Sequence, residues 1–100
     1  MLGLLVGALL AVSAAAHANQ ALATSKSCMA CHGLNNPLVG PSFRDVAARY
    51  QGRADANTVL VEKITKGSTG AWGAMPMPPQ GQLVNAAEAN ALATWILGVR

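Results

Sequence analysis

Cys28-Met29-Ala30-Cys31-His32 constrains this chain more than any other stretch. It holds both cysteines, and the one other histidine is His17, near the N-terminus. Two thiols three positions apart, followed at once by an imidazole, match the attachment signature of c-type haem. Each thiol can add across one vinyl group of a single porphyrin, and the short link then holds His32 beneath the iron as an axial ligand. A fold built on this motif has to wrap around a large, rigid macrocycle. The competing readings explain less. A thioredoxin-like pair needs a strand–helix context, and no strand pattern surrounds the motif. A structural zinc site needs four ligands, and a structural disulfide gives His32 no purpose.

The N-terminal segment reads as a leader. Leu2 to Val12 is a nearly continuous run of Leu, Val, Gly and Ala, and small residues follow it, ending in Ala16-His17-Ala18. That ending suits cleavage by signal peptidase, so residues 1–18 are expected to be a signal peptide and residues 19–100 the domain. The n-region carries no Lys or Arg. As an uncleaved anchor, the apolar span from Met1 to Ala16 falls short of the roughly 20 residues that cross a bilayer. The expected location is therefore the periplasm, with no stable membrane insertion once the leader is cut.

Residues 19–100 make one small domain, near the size at which a core of side chains alone gives marginal stability. Its aromatic residues are Phe43, Tyr50, Trp72 and Trp95, and a covalently held macrocycle would fill the deficit. The haem-free chain is accordingly expected to be largely unfolded. Net charge is +3, from seven Lys and Arg against four Asp and Glu. The cations are scattered rather than clustered, which, with export, argues against nucleic acid. The charge fits docking to an acidic protein surface.

Helical signals dominate the rest of the chain. Gln20 to Lys26 reads as a short helix entering the Cys motif, and Leu34 to Pro41 as a loop. Ser42 with Asp45 three residues on marks an N-cap for a helix through Tyr50. Asn57 is a candidate cap for Thr58 to Lys66, with Gly67 as its stop. Ser68 to Gln82, rich in Gly and Pro, is a structured loop. Asn85 with Glu88 caps a last helix whose Leu92, Trp95, Ile96 and Val99 form a buried stripe. The expected fold class is all-α, with four to five short helices around one haem.

With haem held by His32, the sixth coordination position has to be assigned. His17 leaves with the leader, and Met29 lies inside the attachment loop on the wrong side. Met75 and Met77 remain, in Ala74-Met75-Pro76-Met77-Pro78-Pro79. Each precedes a proline, which biases it to extended backbone and stiffens the segment. His/Met ligation is the choice of electron-carrying cytochromes. Composition does not choose between the two methionines.

The chain resembles the short bacterial class I monohaem cytochromes c, of the type that donates electrons to nitrite reductase or terminal oxidases. The likeness rests on Cys28-Met29-Ala30-Cys31-His32, on Val39-Gly40-Pro41-Ser42-Phe43-Arg44-Asp45-Val46-Ala47, and on Gly67-Ser68-Thr69-Gly70-Ala71-Trp72-Gly73. It continues in Pro76-Met77-Pro78-Pro79 and Ala93-Thr94-Trp95-Ile96-Leu97. The resemblance implies the small cytochrome c fold and one haem c attached by two thioethers to Cys28 and Cys31. It implies Met77, rather than Met75, as the iron ligand opposite His32. It further implies that the Pro41 carbonyl accepts the His32 Nδ1 proton, that Trp72 donates its indole N–H to a haem propionate with Lys63 as a nearby cation, and that Trp95 packs the last helix across the first. Two positions depart from the family pattern: Gln80 stands where Asn is frequent, and Ala23 where a bulkier residue is common.

The expected function is a one-electron carrier of the periplasm and not an enzyme, shuttling between a membrane-linked donor complex and a terminal reductase or oxidase. It would act as a monomer that docks by an exposed haem edge framed by Leu38, Val39, Ala71, Ala74, Met75 and Pro78. Lys26, Arg44, Arg49, Lys63 and Lys66 would rim that edge. The alternatives are a haem protein with an open sixth position, serving sensing, small-molecule binding or peroxidatic chemistry, and a thiol–disulfide redox protein built on the two cysteines.

Overall fold

A computed structural model describes Gly3 and residues 14–100 of the chain. The apolar run of the expected leader, apart from Gly3, lies outside the described residues. Four helices carry the architecture: α1 (Ala14–Ser25), α2 (Phe43–Tyr50), α3 (Ala56–Lys66) and α4 (Ala86–Leu97), with a single 3₁₀ turn at Cys28–Ala30. Among the described residues β structure is limited to two isolated bridges, His32 with Pro37 and Ser68 with Met77. The all-α expectation holds. The first helix begins earlier than its expected start at Gln20 and runs unbroken through Ala18.

α4 is the hub, packing against α1, α2 and α3. Its capping box forms as the sequence predicts: Asn85 Oδ1 accepts from the Glu88 amide at 2.8 Å, and Glu88 Oε1 accepts from the Asn85 amide at 3.0 Å. Fully buried alanines keep the helices close. Ala23 on α1 and Ala89 and Ala93 on α4 are each 0% exposed, so the small residue at position 23 is completely enclosed. The core is completed by Phe43, Val46, Tyr50, Leu60, Ile64, Leu92 and Ile96. Trp95 meets the edge of Phe43 at 5.4 Å between ring centroids, a favourable aromatic geometry that ties α4 to α2.

The caps of α2 and α3 differ instructively. Ser42 is 0% exposed, and its Oγ accepts from the Asp45 amide at 3.1 Å, as expected. Asn57 does not cap α3. The helix starts a residue before it, behind Asp55, whose side chain makes no cap bond. The carboxylate is occupied instead by Arg53, at 2.8 and 3.0 Å, and this pairing holds it below its ordinary pKa. Asn57 donates to Thr94 Oγ1 at 2.9 Å, linking α3 to α4.

Candidate functional site

The chain leaves α1 through Ser27, which adopts the left-handed conformation (φ 63°, ψ 18°) that glycine usually supplies at a helix end. The backbone then winds tightly: the amides of Cys31 and His32 both donate to the Cys28 carbonyl, at 3.2 and 3.0 Å. In such a 3₁₀ turn, side chains three apart eclipse one another, so the two thiols share one side and His32 follows directly. Cys31 is exposed and Cys28 half-buried. Burial pushes the Cys28 thiol above its ordinary pKa, and the neighbouring Cys31 adds to the rise.

The imidazole of His32 is held by three neighbours. Its Nδ1 lies 2.7 Å from the Pro41 carbonyl oxygen. A carbonyl can only accept, so Nδ1 donates, and Nε2 is the ring nitrogen left for a ligand. Phe43 stacks on the ring at 4.9 Å between centroids and 19° between planes. Gly40 closes the arrangement: a Cβ there would lie 2.6 Å from Cε1 of the imidazole, so only glycine fits without displacing the ring. The loop is itself tied back, with the Gly40 amide donating to the Cys31 carbonyl at 2.7 Å and the Phe43 amide to Gly33 at 2.9 Å.

Facing this wall across a cleft is the segment from Gly67 to Gly81. Its base is fastened to the end of α3, the Gln80 and Gly81 amides donating to Ile64 and Thr65 at 2.9 and 3.1 Å. Above the base, Ser68 and Met77 exchange two backbone hydrogen bonds, at 2.8 and 3.0 Å. Gly67 makes room for that exchange. It adopts φ 78°, ψ 178°, and a Cβ there would stand 2.6 Å from the Met77 carbonyl oxygen. Met77 is half-buried against the core, whereas Met75 is 65% exposed. The geometry thus separates two methionines that the sequence leaves equivalent. The Gln80 amide donates to the Pro78 carbonyl at 3.1 Å.

Cys31, His32, Val39, Gly40, Pro41, Ser68, Ala71, Trp72, Met75 and Met77 line the cleft, which holds about 430 Å³ including its open mouth. Cofactor sites are commonly concave, with apolar linings and few polar groups. A covalently held porphyrin fits this donor set: the Cys31 thiol and the His32 imidazole on one wall, Cys28 one tight turn behind them, and the Met77 thioether on the facing wall. Among the described residues, no three His, Cys, Asp or Glu side chains converge on a point that would hold a free metal ion. Of the remaining residues marked by sequence, Pro41 and Trp72 line the cleft. Lys63 lines a separate concavity with Lys66, Gly67 and Thr69. The cation beside Trp72 is Arg49, whose guanidinium lies 4.3 Å from the ring centroid. The sequence carries no local signal for that contact.

A four-helix shell around a cleft lined by the second cysteine and the histidine of a Cys-x-x-Cys-His motif is the arrangement of a c-type cytochrome. A family model described as Cytochrome c matches residues 16–100. Cytochrome c-552 of Hydrogenobacter thermophilus is 53% identical over 83 residues, which cover 83% of this chain and 83% of that protein. Cytochrome c-551 of Pseudomonas aeruginosa is 44% identical over 94% of this chain and 88% of its own length. The crystal structure of wild-type Nitrosomonas europaea cytochrome c552 superposes with a TM-score of 0.78 at 46% identity, covering 81% of this chain and 99% of that one. The chain belongs to the cytochrome c family. It is a small class I monohaem electron carrier, with haem c attached covalently through Cys28 and Cys31. The thiol–disulfide alternative falls with that attachment, which consumes both thiols.

Proposed function

We propose that this chain is a periplasmic carrier in which His32 Nε2 and the Met77 sulfur hold opposite axial positions. When bound, the haem supplies an iron that gains and loses a single electron. The observation that supports this ligand pair is the opposition of two fastened donors across one cleft. His32 is fixed by Pro41 and Phe43, and Met77 by its paired backbone with Ser68. A thioether is a weak donor, and a preset loop lowers the entropy lost when it binds. With both axial positions filled by His32 and Met77, no substrate would reach the iron, and the protein would transfer electrons without catalysing a reaction. Trp72, which lines the cleft, would donate its indole N–H to a propionate, with Lys63 as a nearby cation.

Docking would use the mouth of the cleft, where Leu38, Val39, Trp72 and Met75 expose 60%, 57%, 40% and 65% of their surface. A small apolar face on a protein of net charge +3 suits brief, steered encounters of a monomer with acidic redox partners, here a membrane-linked donor and a terminal reductase or oxidase. No described helix is long and apolar enough to cross a membrane, and residues 1–18 act as a leader removed on export.

The test is the near-infrared methionine–iron charge-transfer band of the oxidised protein, matured in a periplasm. It is expected in the parent and absent in Met77→Ala. A band that survives in Met77→Ala and disappears in Met75→Ala would reverse the assignment, and a parent without the band would favour an open sixth position.

A further inference from the structure

The two walls of the cleft are fastened to different parts of the frame. The His32 wall is continuous with α2 through Pro41, Ser42 and Phe43. The Met77 wall is tied to the C-terminal end of α3 through Gln80 and Gly81. Among the described residues, one hydrogen bond joins the two walls directly: Arg49 Nη1, on α2, donates to the Ala71 carbonyl at 2.5 Å. The same guanidinium lies over the Trp72 ring at 4.3 Å, within the range of a cation–π contact. Both contacts fall on the outer half of the loop, where residues 69–76 make no backbone hydrogen bonds besides those at the Ser68–Met77 bridge and are mostly exposed.

We infer that Arg49 is a positioning residue that straps the outer half of the Met77 loop to the His32 wall and so sets how often the sixth ligand lets go. This rests on the axial assignment proposed above. A loop held only at its base hinges there, and hinging withdraws the sulfur from its place opposite His32. The guanidinium opposes that motion from both sides of one peptide. Its planar fork donates to the Ala71 oxygen while its face covers the next side chain, a combination that an ammonium on a flexible stem does not reproduce. Arg49 touches neither donor atom, and its effect passes through the loop.

The experiment measures the rate at which imidazole, added in excess to the oxidised haem-loaded protein, replaces the native sixth ligand. At saturating imidazole this rate reaches a plateau set by loop opening. Arg49→Ala is expected to raise the plateau about three- to tenfold, with Arg49→Lys closer to Ala than to the parent. Denaturant unfolding is followed on the same samples. A higher plateau with an unfolding midpoint near the parent's supports the strap. A plateau equal to the parent's in Arg49→Ala overturns it, and so does a rise that only tracks a loss of global stability. Met77→Ala separates the two readings. If its imidazole binding keeps the slow plateau, Met77 is not the displaced ligand and the axial assignment fails. If the plateau vanishes while Arg49→Ala matches the parent, the assignment stands and the strap alone is refuted.

Discussion

The two walls of the cleft present one donor each and secure it by different means. On the His32 side the imidazole is bonded at Nδ1, stacked by Phe43 and closed in by Gly40, and Phe43 is itself core, 3% exposed and touching Trp95 of α4. On the Met77 side two backbone bonds and a glycine of unusual conformation hold the chain, and the loop beyond them faces solvent. One donor is fixed by the core. The other is fixed by the loop that carries it. On the axial assignment proposed above, a change on the first wall should therefore be felt as stability, and a change on the second as loss of the sixth ligand with the fold retained.

The largest effect tests whether the helical frame stands without the group it encloses. Cys28→Ala with Cys31→Ala is expected to leave the chain largely unfolded, read by far-UV circular dichroism; a native-like spectrum would show that the helices need no haem. Phe43→Ala comes next. It removes a buried ring that serves core and imidazole together, and should cost about 3–5 kcal/mol in denaturant unfolding, with helix signal and charge-transfer band failing together. Gly67→Ala strikes the other wall alone. Backbone of this kind is nearly confined to glycine and costs a side-chain residue roughly 1–3 kcal/mol. Here the band should disappear at lower denaturant than the helix signal, and coincident transitions would erase the distinction between the walls.

The smallest effect lies away from both. Glu88 is held below its ordinary pKa, first by the Asn85 amide it accepts from and then by Lys26. A carboxylate depressed in the folded state contributes stability above its unfolded pKa and loses it as pH falls through the folded value. Glu88→Gln keeps an oxygen for the cap but removes the charge. Its stability should decline less steeply than the parent's below the ordinary glutamate range, as measured by thermal unfolding across acidic pH.

Legibility from the sequence followed the range of the interaction. Ser42 with Asp45 and Asn85 with Glu88 are contacts over three residues, written in adjacent letters, and both formed. The thiol pair and His32 were equally local. Asn57 was misread because Arg53 claims the Asp55 carboxylate and the helix begins without a side-chain cap, leaving the Asn57 amide for Thr94, 37 positions away. The reach of Arg49 to Ala71, over 22 positions, left no periodic trace. Met77 could be preferred to Met75 only by likeness, since the Ser68 pairing that distinguishes them depends on how the loop folds back.

That pairing also bears on competition at the iron. A free thioether would lose to water, which is present at a concentration no dissolved methionine approaches. On the axial assignment proposed above, the loop from Gly67 to Gly81, closed at its base on Ile64 and Thr65 and cinched at Ser68, would make binding of the Met77 sulfur an intramolecular event. The sulfur would then compete at an effective concentration set by geometry rather than by solubility. Each bond that narrows the sulfur's range would raise that figure without altering the donor, so that, on this assignment, the affinity of the sixth position would be written into hydrogen bonds that never touch the metal.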